Sequence, residues 1–337
     1  MIGTRWGGFV GAAAALLLAA APAAAQEKKG AGGGAAGWKA GFGRAEITPD
    51  RPVWMSGYAA RKKPSEGVAA EIFVKAMALE DQRGERAVLV TADLIGTWGF
   101  FSDPVVEAVA EKVGVPRERF LFTSSHNHAG PTISLNPEGR GSMPKAEAEN
   151  TVKYTREVQE KLAGAIRDAV ADLKPARLSW GVGFAPFVMN RREFTDRGVI
   201  LGENPRGPAD RSVPVLRVDG PDGKLRGAVF GCACHNTTLT QNNYQIAGDY
   251  AGFAQETIEA KYPGAHALFV AGCGGDANPY PRGTLELATV HGRTLGAEVC
   301  RVLESKLAPV GGPLQIASGV ARLPFQAGLS PEELAEV

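Results

Sequence analysis

The apolar positions along the chain follow two periods. In Gly41–Thr48 (GFGRAEIT), Glu71–Leu79 (EIFVKAMAL) and Arg86–Asp93 (RAVLVTAD) apolar and β-branched residues predict strands. Asp81-Gln82-Arg83-Gly84 lies between the last two, as in a hairpin. Pro104–Val113 carries its apolar residues at helical spacing, and a short link leads to a strand at Arg119–Phe122. Tyr154–Leu173 is the clearest helix. Val158, Leu162, Ile166, Val170 and Leu173 recur three or four apart, and Lys174-Pro175 stops it. Further strands are expected at Arg177–Val182, Pro214–Val218, Ala228–Cys234 and Ala267–Ala271, and helices at Phe253–Lys261 and Thr289–Leu307. Strands alternate with helices but also form hairpins, so the expected fold is a layered mixed α/β domain with mixed sheets flanked by helices. No internal repeat is visible.

The two ends modify this picture. Residues 1–25 read as a cleavable signal peptide: Arg5, an apolar run from Gly7 to Ala21, Pro22, then Ala23-Ala24-Ala25 before Gln26. The protein is therefore expected to be exported, to the periplasm, the cell surface or the medium. Residues 26–38 read as a Gly/Ala-rich linker and 39–337 as the folded domain. Ser330-Pro331-Glu332-Glu333 is a helix start with only four residues after it, so the domain is expected to be C-terminally incomplete. Apolar content of 44% and charge of 22% are ordinary for a globular protein. A net charge of +1 without a basic patch argues against nucleic acid. No later stretch reaches the ~20 apolar residues of a membrane span. Four cysteines (Cys232, Cys234, Cys273 and Cys300) in an exported chain allow three disulfide pairings, among which the sequence does not choose.

Candidate chemistry begins at Thr123-Ser124-Ser125-His126-Asn127-His128-Ala129-Gly130-Pro131. On an extended backbone His126 and His128 share a face, and neutral imidazoles are standard zinc ligands. Two of the chain's five histidines lie here. Three later stretches join it. Val229–Thr238 is a strand delivering His235 into a polar loop. Gly248-Asp249-Tyr250-Ala251-Gly252 places a carboxylate at a helix start, which capping alone explains. Leu268–Pro279 is a strand opening into a glycine turn, whose N–H groups are suited to an oxyanion.

In their order and rough separations SSHNHAGP, CHNTT, GDYAG and GGDANP resemble the neutral/alkaline non-lysosomal ceramidases, from about Gly41 to Leu323. The likeness is greatest to the shorter bacterial ceramidase-like proteins. It implies a Zn2+ ion on His126 and His235, with His128 beside it assisting proton transfer. It implies that Asn190-Arg191 contacts substrate, with Arg191 binding the amide oxygen or the product carboxylate. Gly274, Gly275 and Ala277 are then substrate-binding, and Asp276 catalytic. The reaction implied is attack of zinc-activated hydroxide on the N-acyl bond of ceramide or a related lipid. Such a small-molecule lipid substrate leaves room for peripheral contact at a membrane surface, and no obligate protein partner is evident.

Two departures stand out. Ala277 replaces a serine of the best-known ceramidases, so no serine nucleophile acts there. The family also completes its zinc site with a Glu and a Tyr from beyond the aligned region, and Asp93, Asp249 or Asp276 would have to substitute. Two other readings therefore stay open: a secreted non-catalytic lipid- or glycan-binding domain of the same fold, and a related metal-dependent esterase or lactonase.

Overall fold

A computed structural model describes residues 37–137 and 143–324, together with Gly328. The signal segment, nearly all of the linker and the helix start at Ser330 lie outside the described residues. In chain order the elements are β1 (Trp38–Glu46), β2 (Gly67–Val68), β3 (Phe73–Glu80), β4 (Arg86–Ala92), α1 (Gly99–Val113), β5 (Phe120–Phe122) and α2 (Lys145–Ala171). There follow β6 (Lys174–Phe184), β7 (Val188–Thr195), β8 (Gly198–Asn204), β9 (Ser212–Asp219), β10 (Leu225–Cys232) and β11 (Gln245–Ile246). Last come α3 (Asp249–Lys261), β12 (His266–Ala271), β13 (Ala277–Pro279), α4 (Leu285–Leu303) and β14 (Ala308–Pro309). Among the described residues no helix is long and apolar enough to cross a membrane.

The main sheet runs β12-β10-β9-β6-β1-β3-β4-β5, with β14 also paired to β6. The end pairs β10–β12 and β4–β5 are parallel and the rest antiparallel, so the sheet is mixed as expected. Its strands are apolar on both faces. On one half Val74, Ala76, Val88 and Val90 pack against Val105, Val109, Val158 and Leu162 of α1 and α2. On the other, Val213, Ala228, Phe230 and Phe269 meet Ala254, Ile258, Leu295 and Val299 of α3 and α4. The alternate residues, Phe42, Met77, Leu178, Val218 and Leu268, gather in a third cluster drawn from both halves. The sheet thus folds over on itself with a helix pair outside each half, giving four layers. Lys75 of β3 ties the halves together, its Nζ donating to Glu259 at 2.7 Å and to the carbonyl of Ala267 at 2.8 Å.

Local chemistry sets the close contacts. A Cβ on Gly41 or Gly43 would lie 2.1 Å from the carbonyl oxygen of Ala169 or Ala165, so the glycines let α2 rest directly on β1. Helix α1 begins at Gly99, ahead of the expected Pro104. Pro104 has no N–H for the helical bond to Phe100. Gln159 of α2 reaches over instead, its Nε2 donating to the carbonyls of Phe100 and Phe101 at 3.4 and 3.0 Å. The largest element without a signal in the apolar pattern is the β7–β8 hairpin, whose Phe194, Val199 and Leu201 are exposed.

Two predictions follow from this packing. Gly43→Ala should destabilise by about 2–3 kcal/mol through overpacking against backbone, read as a lower urea midpoint. Glu80 accepts from Lys39 and Arg86 across β1–β3–β4, both at 2.6 Å, and these bonds lower its carboxyl pKa. A depressed folded-state pKa gives stability above the unfolded value that is lost as pH falls through the folded one. Glu80→Gln should therefore lower the midpoint at pH 7, with the difference closing below about pH 4.

Candidate metal centre

Strands β5, β10 and β12 release the three loops singled out in the sequence. The first two loops run side by side, joined by a parallel bridge between Asn127 and Asn236 and by His128 N–H donating to Asn236 O at 3.3 Å. Their rings converge, with centroids 4.9 Å apart for His126 and His128 and 4.6 Å for His126 and His235. The extended backbone expected for His126 is corrected here. Strand β5 ends at Phe122, and His126 is left-handed at φ 55°, a conformation that non-glycine residues adopt only under local constraint.

Hydrogen bonding fixes two of the tautomers. His126 Nδ1 lies 2.8 Å from the carbonyl of Ile95, and His235 Nδ1 lies 2.7 Å from that of Gly274. A carbonyl only accepts, so each Nδ1 carries the proton and each Nε2 presents a lone pair, that of His235 also accepting from Arg191 Nη2 at 3.2 Å. Those two Nε2 atoms face each other at 3.2 Å, an arrangement that a cation between them would relieve. His128 adds two buried ring nitrogens without a hydrogen-bond partner. Ligand atoms of all three residues lie within 4.8 Å of one another. Burial, reinforced by neighbouring His126 and His235, pushes His128 down to about 3. Burial likewise brings His235 to about 4, with Arg191 contributing and the bond to Gly274 opposing. Both stay neutral at ordinary pH, the form that binds metal. A donor set of imidazoles anchored through Nδ1 to carbonyls fits zinc.

Among the described residues no carboxylate or thiolate joins the cluster. Asp93 is buried against Phe73 N–H and Gln255, and Asp249 accepts from the N–H groups of Leu239 and Tyr250 at 2.8 and 2.6 Å. Asp249 occupies the first turn of α3 rather than its cap, which is Gly248. The four cysteines are free, with only Cys273 exposed.

Arg191 arrives on β7, which pairs with β13. Its Nη2 lies 3.2 Å from His235 Nε2, its Nε and Nη2 donate to Gly275 O at 3.1 and 2.9 Å, and Nη1 donates to Asn278 Oδ1 at 3.2 Å. The glycine turn thus meets the site through the carbonyls of Gly274 and Gly275, whereas Gly274 N–H donates back to Gly272 O. Asn190 is turned to the hairpin, donating to Pro208 O and accepting from Arg192 N–H. Ala277 is buried in β13, and Asp276 holds Arg191 N–H through its backbone while its side chain is exposed.

Several site residues had no sequence signal. Arg61, 2% exposed, donates to the carbonyls of Ser56, His128 and Asn243 at 2.5, 2.8 and 3.1 Å and stacks over Tyr58. A Cβ on Gly57, at φ 95°, would come within 2.4 Å of His128 Nδ1, so glycine is required there. The site opens into a cavity of 460 Å³ lined by Phe122, Ser124, His126, His235 and Gly274. Next to it, and sharing Gly272 and Cys273, lies a 380 Å³ apolar groove walled by Trp180, Leu216, Val229, Phe230 and Val270.

These features define a four-layer α/β protein with a carbonyl-anchored histidine centre beside an arginine. Residues 38–285 match the family described as neutral/alkaline non-lysosomal ceramidase, N-terminal, and the chain belongs to that family. It is 25% identical over 266 residues to the neutral ceramidase of Drosophila melanogaster, covering 73% of this chain and 36% of that one. It is 26% identical over 249 residues to the neutral ceramidase of Mycobacterium tuberculosis, covering 68% and 37%. A solved structure of a ceramidase complexed with C2 superposes at a TM-score of 0.69 and 22% identity, over 82% of this chain and 45% of that one. The crystal structure of neutral ceramidase from Pseudomonas aeruginosa gives 0.68 and 22%, over 82% and 46%. The chain thus spans little more than a third of the length of the curated relatives it matches.

Elemental analysis after zinc loading and dialysis should find about one ion per chain, the stoichiometry of a mononuclear site. His126→Ala and His235→Ala should each release it. Full retention in both variants would put the ion elsewhere.

Proposed function

We propose that this chain supplies the metal-binding and substrate-binding centre of an exported, zinc-dependent amide hydrolase acting on ceramide or a related N-acyl lipid. The observation that carries the reading is the facing pair of Nε2 lone pairs on His126 and His235, 3.2 Å apart, with Arg191 Nη2 donating to the second. His126 and His235 would hold the ion. When bound, zinc supplies Lewis-acid activation of water near neutral pH.

The remaining steps belong to the chain's own residues. Arg191, braced by Gly275 O and Asn278, presents a guanidinium to the oxygen of the scissile amide as negative charge develops there. His128 lacks the carbonyl anchor that its two neighbours have, and its Nδ1 lies against Gly57. Its Nε2 is then the atom free to pass a proton toward the departing amine. The apolar groove that shares Gly272 and Cys273 with the site suits a hydrocarbon chain attached to that amide. This groove favours a lipid over a small polar amide, and an N-acyl substrate over a glycan ligand.

The test is release of fatty acid from a short-chain ceramide by zinc-loaded protein, with the matching ester alongside. Arg191→Met should lower kcat/KM about 10²–10³-fold, the loss typical for one oxyanion donor. Zinc bound without any release of fatty acid would turn the reading toward a non-catalytic lipid-binding domain. Preferential cleavage of the ester would indicate an esterase.

A further inference from the structure

One conspicuous motif, Gly248-Asp249-Tyr250-Ala251-Gly252, has no part in the chemistry above, because Asp249 is buried and directed at backbone. Its neighbours show what else it does. Asn127 Nδ2 donates to Ala247 O at 2.7 Å and to Asp93 O at 3.1 Å, and Ala247 N–H donates to Ala129 O at 3.2 Å. Asn236 Nδ2 donates to Gly248 O at 2.9 Å, and its Oδ1 accepts from Ala251 N–H at 3.3 Å. Tyr250 Oη donates to Cys234 O at 2.8 Å, and Asp249 Oδ2 takes Leu239 N–H.

Each metal-facing histidine is therefore followed by an asparagine, His126-Asn127 and His235-Asn236, and both carboxamides hook onto one short stretch, residues 247–251. Both asparagines are completely buried. The stretch also holds a left-handed residue, Asp249 at φ 50°, so its backbone path is fixed rather than relaxed. Neither loop is a regular strand at its histidine: a single isolated bridge pairs Asn127 with Asn236, and the side chains of those two residues turn to residues 247–251.

We infer that residues 247–251 form a common backplate that sets the separation of His126 and His235, with Asn127 and Asn236 as positioning residues. The inference deepens the zinc-centre reading but rests on hydrogen bonds that exist without the ion. A carboxamide fits because it donates to a carbonyl and accepts from an N–H in one rigid plane. An aspartate of the same shape keeps the acceptor, loses the donor and sets a negative charge against Gly248 O.

The experiment compares the parent with Asn236→Asp and Asn236→Ser, the second covering a failure of the first to fold. Long-range proton–nitrogen NMR on histidine-labelled, metal-free protein reports which ring nitrogen carries each proton. The parent should show His126 and His235 as single Nδ1–H tautomers, and the folded variants should show His235 averaging between tautomers. Competition with a chelating dye should find zinc affinity about 10–100-fold weaker in the variants, the range for losing an outer-shell partner. Thermal midpoints identify which variants are folded. A folded variant with an unchanged His235 tautomer would overturn the inference whether or not the parent binds zinc. So would parent-like zinc affinity in a folded variant. Absence of zinc binding in the parent, with the expected tautomer change in the variants, would sink the zinc reading and leave the backplate standing.

Discussion

The structure turns on two lone pairs held face to face. Two acceptors 3.2 Å apart repel, an effect that the Arg191 Nη2–H donated to His235 offsets only in part, and on their own the rings of His126 and His235 would rotate away from each other. They are prevented from doing so because each Nδ1–H is committed to a carbonyl, Ile95 O for one and Gly274 O for the other. Those carbonyls belong to segments following β4 and β12, on opposite halves of the folded sheet. Folding the sheet over is therefore what assembles the centre. The third cluster between the halves supplies the apolar area that holds it closed.

Around the histidines the interior carries buried polar side chains, many of them bonded to backbone. Arg61 is a buried cation with three close backbone carbonyls and no carboxylate, stacked on Tyr58. A planar guanidinium reaches carbonyls on several segments from one fork and stacks on an aromatic ring, without desolvating a second charge. The unpartnered nitrogens of His128 are joined by two other buried polar atoms without a hydrogen bond, Arg61 Nε and Ser125 Oγ, so unsatisfied polarity gathers at the histidines.

Much of this was legible beforehand. The α2 helix, the hairpin of β3 and β4 and the strands leading to His126 and His235 showed in the apolar pattern because each buries a full face. The family resemblance pointed to His126, His128, His235 and Arg191, and these four do come together. The β7–β8 hairpin was not visible, since exposed Phe194 and Leu201 interleaved with charge carry no burial signal. Alternation along a strand also gave the right neighbours for His126 and His128 for the wrong reason, as the φ of 55° came from loop constraints that no local pattern encodes. Arg61, Asn127 and Asn236 were silent because their roles lie in contacts distant in sequence.

The arginine and the histidines are carried on different frames. The histidines hang from the large sheet, while Arg191 belongs to the separate three-stranded sheet β13-β7-β8. That small sheet is tied to the glycine turn by β13, three residues long, and by bonds from Arg191 and Arg192 to the carbonyls of Gly275 and Asp276. Sequence change in the hairpin beyond those contacts can therefore alter how charge is presented beside the cluster while the three imidazoles keep their places.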